Sequence, residues 1–172
     1  MKKNQKGFTL VELLVSTAII ALMSALFFAN YRHGGVGVDL SGTVHKLASD
    51  IRVAQNYSLG TKKFNGVTPS GGWGVHFDLA NNNKQYIVFA DTNGDYKYEP
   101  EEKYSTYNIS ANILISSTTQ SQLLDLVFLP PDPRTYINGN YKSSVDIVLQ
   151  EELNHTTKKI EINFLGLIDI ID

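Results

Sequence analysis

The hydrophobic pattern begins with one long apolar run, which extends from Phe8 to Ala29. As a helix that rises about 1.5 Å per residue, a run of this length matches the hydrocarbon core of a bilayer, which is about 30 Å thick. Lys2, Lys3 and Lys6 precede the run, and the positive-inside rule keeps such an end in the cytoplasm. The pattern therefore predicts one membrane-spanning helix, with the bulk of the chain on the far side of the membrane.

A second helical pattern follows, in which the apolar positions recur at alternating steps of four and three. This spacing places them on one face of an amphipathic helix that packs onto a sheet. The face consists of Leu40, Val44, Leu47, Ile51, Ala54 and Ser58. Asp39 or Ser41 could cap the start of this helix, and Gly60 is well placed to end it. The side expected to face solvent consists of Lys46, Asp50, Arg52 and Gln55.

Three glycines, Gly34, Gly35 and Gly37, lie between the two helical patterns. Each glycine costs up to about 1 kcal/mol in the interior of a helix. We therefore expect either a break, bend or locally extended segment in the helix, or a loop at the membrane surface, in this part of the chain.

From Trp73 onward the hydrophobic period changes to two. The alternation in GWGVHFD predicts a half-buried strand, and KQYIVFA forms the returning strand of a hairpin. Further strand-like runs are YSTYNIS, NILISS, LLDLVFL, SVDIVLQ, KKIEINF and GLIDII. Pro130, Pro131 and Pro133 exclude a central strand from the PPDP stretch. A long N-terminal helix followed by consecutive strands predicts an α+β fold, with the helix packed on a mostly antiparallel β-sheet domain.

Composition limits the classes of function. A chain of 172 residues allows one domain of ordinary size and an anchor. From Gly34 onward there are 11 basic and 16 acidic residues, so this part lacks the basic footprint of a protein that binds duplex DNA. Cysteine is absent, which excludes disulfides and thiol chemistry.

The stretch DTNGDYKYEPEE is the most suggestive of a ligand. Asp91, Asn93 and Asp95 occupy alternate positions and Glu102 is the twelfth residue, which is similar to the oxygen-ligand spacing of a calcium loop. However, Tyr96 stands where such a loop needs glycine for its sharp turn, and Asn93-Gly94 alone favours a hairpin turn. Calcium binding at these four residues and a plain acidic turn both stay open, and we favour the turn.

No catalytic motif is present in the sequence. His33, His45, His76 and His155 are scattered without the spacing of zinc ligands. The chain contains no G-x-S-x-G, H-E-x-x-H or phosphate-loop pattern. We therefore expect neither an enzyme nor a required cofactor.

Glu12 lies near the front of the apolar run, where a carboxylate costs roughly 2.5 to 3.5 kcal/mol. A cleaved secretory signal would have a shorter apolar region, of about 7 to 15 residues, and a site rich in small residues. Residues 26–29, with the sequence LFFA, do not form such a site. A plain membrane anchor explains the length of the run but not its glutamate.

The N-terminus, MKKNQKG followed by FTLVE and an apolar helix, resembles the class III leader of type IV pilins and pseudopilins. The resemblance implies that a prepilin peptidase cleaves after Gly7, that the new N-terminus at Phe8 is N-methylated, and that Glu12 is retained. In a filament with axially offset subunits, Glu12 can neutralise the Phe8 ammonium of a neighbour. Opposite charges attract far more strongly in a medium of low dielectric constant than in water.

The order GWGVHFD, YIVFADTNGD, LVFLPPD and KKIEINFLGLIDI resembles the GspH/FimT class of minor pseudopilins and minor pilins. The implied domains are a leader at 1–7, a transmembrane and filament-core helix at 8–29, a glycine-containing break and amphipathic helix at 30–60, and a β-rich domain at 61–172. The implied function is that of a structural minor subunit of a type IV pilus or a type II secretion pseudopilus.

The resemblance also implies partners and a location. The partners are the prepilin peptidase, other pilins in a helical filament, and an inner-membrane assembly platform with its ATPase. The precursor spans the cytoplasmic membrane once, with its N-terminus in the cytoplasm and its β domain outside. One alternative is a DNA-uptake minor pilin, but the segment FLGLIDIID has Asp169 and Asp172 and no arginine, so nucleic acid is not expected as a partner. A major pilin or a calcium-stabilised pseudopilin is the other alternative.

Overall fold

The computed structural model of the protein describes residues 7–131, 134–141 and 144–171, with the side chains of residues 29–38 left out. The chain divides into two compact units, Met1–Val38 and Asp39–Asp172. Several residues used above lie outside the described residues: Lys2, Lys3, Lys6, Pro133 and Asp172.

Helix α1 (Leu10–Leu59) contains both helical patterns. Its backbone is helical at Gly34, Gly35 and Gly37, so the expectation of a break, an extended segment or a loop was wrong, and the bend stays a prediction. The helix contains no proline, and each further residue adds a backbone hydrogen bond at the cost of fixing only that residue. Because α1 is helical on both sides of Asp39 and Ser41, neither residue acts as the N-cap of a helix. The proposed domain boundaries at residues 7, 29 and 60 stay predictions.

The end of α1 agrees with its predicted stop signal. The helix ends at Leu59, and the Gly60 N–H still donates a helical hydrogen bond of 2.8 Å to the Asn56 carbonyl oxygen. The next residue, Thr61, takes the left-handed conformation with a φ of 48°. The N–H groups of Thr61 and Lys62 then donate to the Ser58 and Tyr57 carbonyls at 3.0 and 2.9 Å, which closes the end of the helix.

From Leu10 to Phe28 the first unit exposes all of its apolar side chains. Its segment Leu10–Phe28 has a mean hydropathy of 2.3 and no buried side chains. By length and composition it is the one membrane-spanning candidate among the described residues.

The second unit contains ten strands within the described residues. They are β1 (Gly72–Asp78), β2 (Gln85–Asp91), β3 (Lys103–Asn108), β4 (Ile113–Thr118), β5 (Leu123–Leu129), β6 (Arg134–Ile137), β7 (Asn140–Tyr141), β8 (Val145–Glu151), β9 (Thr157–Ile162) and β10 (Ile168–Ile171). One sheet has the order β3-β2-β1-β5-β6-β7 and the other the order β10-β9-β8-β4. Every described pair is antiparallel. The predicted α+β fold is confirmed, although β6 and β7 were missed and the division into two sheets was not predicted.

The core of the second unit lies between the C-terminal half of α1 and the two sheets. All six residues of the predicted apolar face of the helix are buried. They join inward-facing residues of both sheets in one cluster, which includes Trp73, Val75, Phe77, Leu124, Leu126, Phe128, Ile147, Leu149, Ile160 and Ile162. Burial of this apolar area is the main favourable term in the folding of the unit.

The side of α1 expected to face solvent also contacts the sheets. Arg52 Nη2 donates to the Ile168 carbonyl at 3.0 Å, and Gln55 Nε2 donates to the Gly166 carbonyl at 3.1 Å. The Tyr86 hydroxyl donates to the Asp50 carboxylate. Three of the four residues predicted to face solvent thus hold the helix to the β-sheet part of the unit through hydrogen bonds.

Candidate functional site

The first described residues form a helix cap. Gly7, Phe8 and Thr9 precede α1 and are exposed. Thr9 acts as the N-cap, because its Oγ1 accepts the Glu12 N–H at 3.3 Å and its carbonyl accepts the Leu13 N–H at 3.2 Å. A threonine followed three residues later by glutamate is the sequence of a capping box, so this cap could have been predicted from the sequence.

Glu12 occupies the first turn of α1, among exposed apolar side chains. Its backbone N–H is used by the cap, but its carboxylate makes no hydrogen bond to any described residue. A negative charge in the first turn interacts favourably with the helix dipole. Glu12 therefore has a local role in the helix, beside the role in assembly that the sequence predicts for it.

The four candidate calcium ligands lie on or next to the long connection between β2 and β3. Asp91 is fully buried, and its two carboxylate oxygens accept the Gly94 N–H at 2.6 Å and the Tyr96 N–H at 2.9 Å. Gly71 allows this burial, because a Cβ atom added there would lie 1.9 Å from Asp91 Oδ2. Asp91 therefore organises the turn through backbone hydrogen bonds.

Glu102 closes the other end of the same connection. Its side chain is buried, and its Oε1 accepts both the backbone N–H of Thr92, at 2.7 Å, and the Thr92 hydroxyl, at 2.9 Å. Its Oε2 accepts the Glu99 N–H at 3.3 Å. Both buried carboxylates are thus satisfied by the connection itself.

Asn93 and Asp95 are exposed and bond to neighbouring residues of the turn. Asn93 Oδ1 accepts the Asp95 N–H and Asp95 Oδ1 accepts the Lys97 N–H, both at 2.9 Å. Among the described residues, no group of three or more His, Asp or Glu side chains is arranged to hold a metal ion. Calcium binding at the four candidates stays a prediction.

Burial raises the pKa of the Asp91 carboxyl above its usual value of 3.8. The hydrogen bonds from Gly94 and Tyr96 act in the opposite direction, and the negative charges of Glu102 and Asp95 add to the rise. The ionised form of Asp91 is therefore electrostatically disfavoured, because the connection between β2 and β3 packs onto the sheet.

Residues 92–102, which we call the cover segment, fold over the outer face of the six-stranded sheet. The Tyr98 ring lies 4.4 Å from the His76 ring and 5.5 Å from the Phe89 ring, measured between centroids. The Tyr96 ring stacks on Tyr136 at 3.9 Å with an angle of 6° between the planes. The expectation that β1 is half-buried was wrong, because the cover segment buries its second face as well.

Beneath Tyr98 lies a polar pair that the sequence analysis missed. His76 Nδ1 and Asp125 Oδ1 are 2.6 Å apart on the paired strands β1 and β5, and both side chains are largely buried. Their separation of 49 positions leaves no short-range signal. Only the register of the two strands brings them together.

An aromatic cluster encloses Lys62 at the end of α1. The Lys62 ammonium lies 3.4 Å from the ring centroid of Tyr57 and 4.3 Å from that of Tyr104, and it donates to the Tyr104 hydroxyl at 2.9 Å. Burial tends to lower the pKa of Lys62, but the contacts with Tyr104 and Tyr57 outweigh it and the pKa is raised. The Trp73 indole N–H donates to the Lys62 carbonyl at 3.0 Å. The cluster fixes the chain between α1 and β1.

Comparison with known protein families agrees with the N-terminal pattern. Residues 2–28 match the family described as the prokaryotic N-terminal methylation motif. The comparisons with curated proteins and with solved structures gave no match. The matched residues contain Gly7, Phe8 and Glu12, together with nearly all of the exposed apolar helix. By this motif and the apolar helix within it, the chain is similar to type IV pilins and pseudopilins that a prepilin peptidase processes and that assemble with other pilins.

Proposed function

We propose that the chain is the precursor of a minor subunit of a type IV pilus or a type II secretion pseudopilus. Its function is structural, without catalysis and without a required cofactor. The observation that carries the proposal is the methylation motif at residues 2–28, which contains nearly all of an apolar helix of membrane-spanning length.

The cleavage step is supported by the position of the bond between Gly7 and Phe8. Both residues are exposed and precede the first helical residue, Leu10. A peptide bond outside the helical hydrogen-bond ladder can enter a peptidase without unwinding a helix. Cleavage here creates an ammonium group at Phe8, one helical turn before Glu12.

Assembly then uses the new terminus. In the precursor, the Glu12 carboxylate has no hydrogen bond to a described residue, and burying it alone in an apolar filament core is costly. Pairing with the Phe8 ammonium of a neighbouring subunit removes both uncompensated charges. The pair thereby sets the axial register between subunits.

The GspH/FimT class is the finer assignment that we propose. It is supported by the order of one long helix followed by antiparallel strands. The lysines before the apolar run support an N-terminus in the cytoplasm and a β domain outside. An inner-membrane platform and its ATPase are the remaining partners of this proposal.

The test is co-expression of the full chain with a prepilin peptidase, followed by N-terminal mass spectrometry of the membrane fraction. We expect the leader to be removed and a methylated Phe8 to be exposed. Gly7→Leu should leave the precursor intact. Gly42→Leu is the matched control, because a Cβ atom at Gly42 meets nothing within 4 Å, and it should be processed normally. A mature N-terminus near Asn30 would contradict the proposal.

A further inference from the structure

Three asparagines in the chain begin the sequence Asn-x-Ser/Thr, the acceptor pattern for N-linked glycans. They are Asn56, Asn108 and Asn154. All three are exposed, so exposure of the asparagine does not distinguish them. The three sites differ in how firmly the fold holds the residues next to each asparagine.

Asn154 lies at the tip of the hairpin between β8 and β9. Residues 152–156 are all exposed, and the neighbouring Leu153 side chain is 72% exposed. The buried Glu151 carboxylate fixes the tip by accepting the Leu153 N–H at 2.9 Å and the Asn154 N–H at 2.6 Å. These bonds use the backbone of Asn154, and its side-chain amide has no hydrogen bond to a described residue.

The other two sites are held by the fold. Ser58, the hydroxyl residue of the Asn56 site, is buried in α1 and donates its hydroxyl to the Phe128 carbonyl. Ile109, the middle residue of the Asn108 site, is buried, and its N–H donates to the Lys84 carbonyl at 2.8 Å. A transferase must draw all three residues of a site into its cleft, so using either of these would disrupt the core.

We propose that Asn154 is an acceptor site for N-linked glycosylation. The Asn154 side-chain nitrogen attacks the anomeric carbon of an oligosaccharide carried on a polyprenyl diphosphate. The new C–N bond forms as the bond from the sugar to the diphosphate breaks, the amide loses one proton, and the polyprenyl diphosphate leaves. A membrane oligosaccharyltransferase supplies the catalysis and the donor, and no oxidant or reductant is needed.

Glu152, two residues before Asn154, adds a feature that the other sites lack. Ala54 and Thr106 occupy the corresponding positions before Asn56 and Asn108. The Glu152 carboxylate pairs with Lys84 at 2.7 Å, and both side chains remain partly exposed. An ion pair of this kind contributes about 0 to 1 kcal/mol, so a transferase that recognises an acidic residue at this position can displace Lys84.

The experiment uses the full chain in cells that carry a bacterial oligosaccharyltransferase of the kind that requires an acidic residue at this position. The cells also supply its lipid-linked oligosaccharide and a prepilin peptidase. We expect the intact mass of the purified protein to rise by one glycan and the modified peptide to contain Asn154. N154Q should lose the increase, and E152Q should reduce the modified fraction. N56Q and N108Q are the matched controls and should keep it.

An unchanged mass of the wild-type chain, or a glycan that persists on N154Q, would overturn the inference. The inference rests on the proposed orientation, since the donor is used on the outer side of the membrane. Leader cleavage is therefore followed in the same samples. Cleavage at Gly7 without a glycan contradicts only the glycosylation site, whereas an uncleaved chain contradicts the proposed function.

Discussion

The two units of the molecule differ in the surroundings of their carboxylates. Glu12 lies in the first unit, and Asp91 and Glu102 lie in the second. In the segment from Gly7 to Phe28 every side chain is exposed, and the Glu12 carboxylate has no hydrogen bond to a described residue. In the second unit, Asp91 and Glu102 are buried, and each accepts at least two hydrogen bonds from the cover segment.

The difference is between two carboxylates whose hydrogen bonds are made within the fold and one for which we propose a partner in another subunit. A buried polar group costs little when its hydrogen bonds are made within the chain, and much more when they are not. The acidic turn is similar to a metal loop in its sequence, but its two buried carboxylates already accept hydrogen bonds within the fold. Glu12 is the reverse case, because its surroundings are apolar and, in the proposed filament, its partner is the Phe8 ammonium of another subunit.

The largest expected effect is loss of assembly when Glu12 loses its charge. Glu12→Gln keeps a side chain suitable for the capping box but leaves the neighbour's Phe8 ammonium unpaired in the filament core. A buried charge left without its partner costs about 3 to 5 kcal/mol, so incorporation should fall more than about 100-fold. The measurement is the fraction of subunit in sheared filaments compared with the membrane, with leader cleavage checked in parallel.

The matched control for this experiment is Thr9→Ala, which removes the cap and keeps the charge. The loss of an N-cap costs about 1 kcal/mol, so this variant should assemble nearly as the wild type does. If Thr9→Ala fails as completely as Glu12→Gln, assembly depends on the cap as well as on the charge, and the contrast between the two regions is lost.

The next effect concerns the buried pair of His76 and Asp125, which the fold satisfies internally. Asp125→Ala leaves the imidazole buried without its hydrogen-bond partner and should destabilise residues 39–172 by about 1 to 3 kcal/mol. Asp125→Asn keeps an oxygen acceptor and should cost less. Urea unfolding of both variants gives the comparison. Equal stability of wild type and Asp125→Ala would show that the pair is not buried in solution.

A smaller effect is expected from pH at Asp91. Because burial raises the pKa of this carboxyl above 3.8, its protonation favours the folded state. That contribution is fully present below 3.8 and is lost as pH rises through the folded pKa. Relative to Asp91→Asn, the wild type should therefore lose stability between acidic and neutral pH. Asp169→Asn, at an exposed carboxylate, is the control, and an equal pH dependence in both variants would contradict the prediction.

The smallest expected effect is that of calcium. Because the Asp91 and Glu102 oxygens already accept backbone N–H groups, millimolar calcium should leave the Tm of residues 39–172 unchanged. A saturable rise with calcium concentration that Asp91→Asn abolishes would instead establish a calcium site. The acidic turn would then depend on an external partner, as Glu12 does.

The sequence by itself predicted the features that depend on short spacing. Each of these features has a local periodic or turn signal in the sequence. They are the apolar run, the methylation motif, the buried face of α1, the stop at Gly60 and eight of the ten described strands. The hydrophobic period reports which face is buried, whatever the partner of that face is. The break expected at the three glycines was wrong, because a propensity summed over a few residues is weaker than helix propagation on both sides.

Only the tertiary structure decided how distant residues meet. Several contacts join positions far apart in the chain. They are the contact of His76 with Asp125, the stacking of Tyr96 on Tyr136, and the hydrogen bonds from Arg52 to the first residue of β10 and from Gln55 to the β9–β10 turn. Strand register and the path of the cover segment create these contacts, and no local pattern encodes either. The same reason applies to Asp91 and Glu102. Their spacing in the sequence is typical of a metal loop, but the fold determines their hydrogen-bond partners, and these partners lie in the turn.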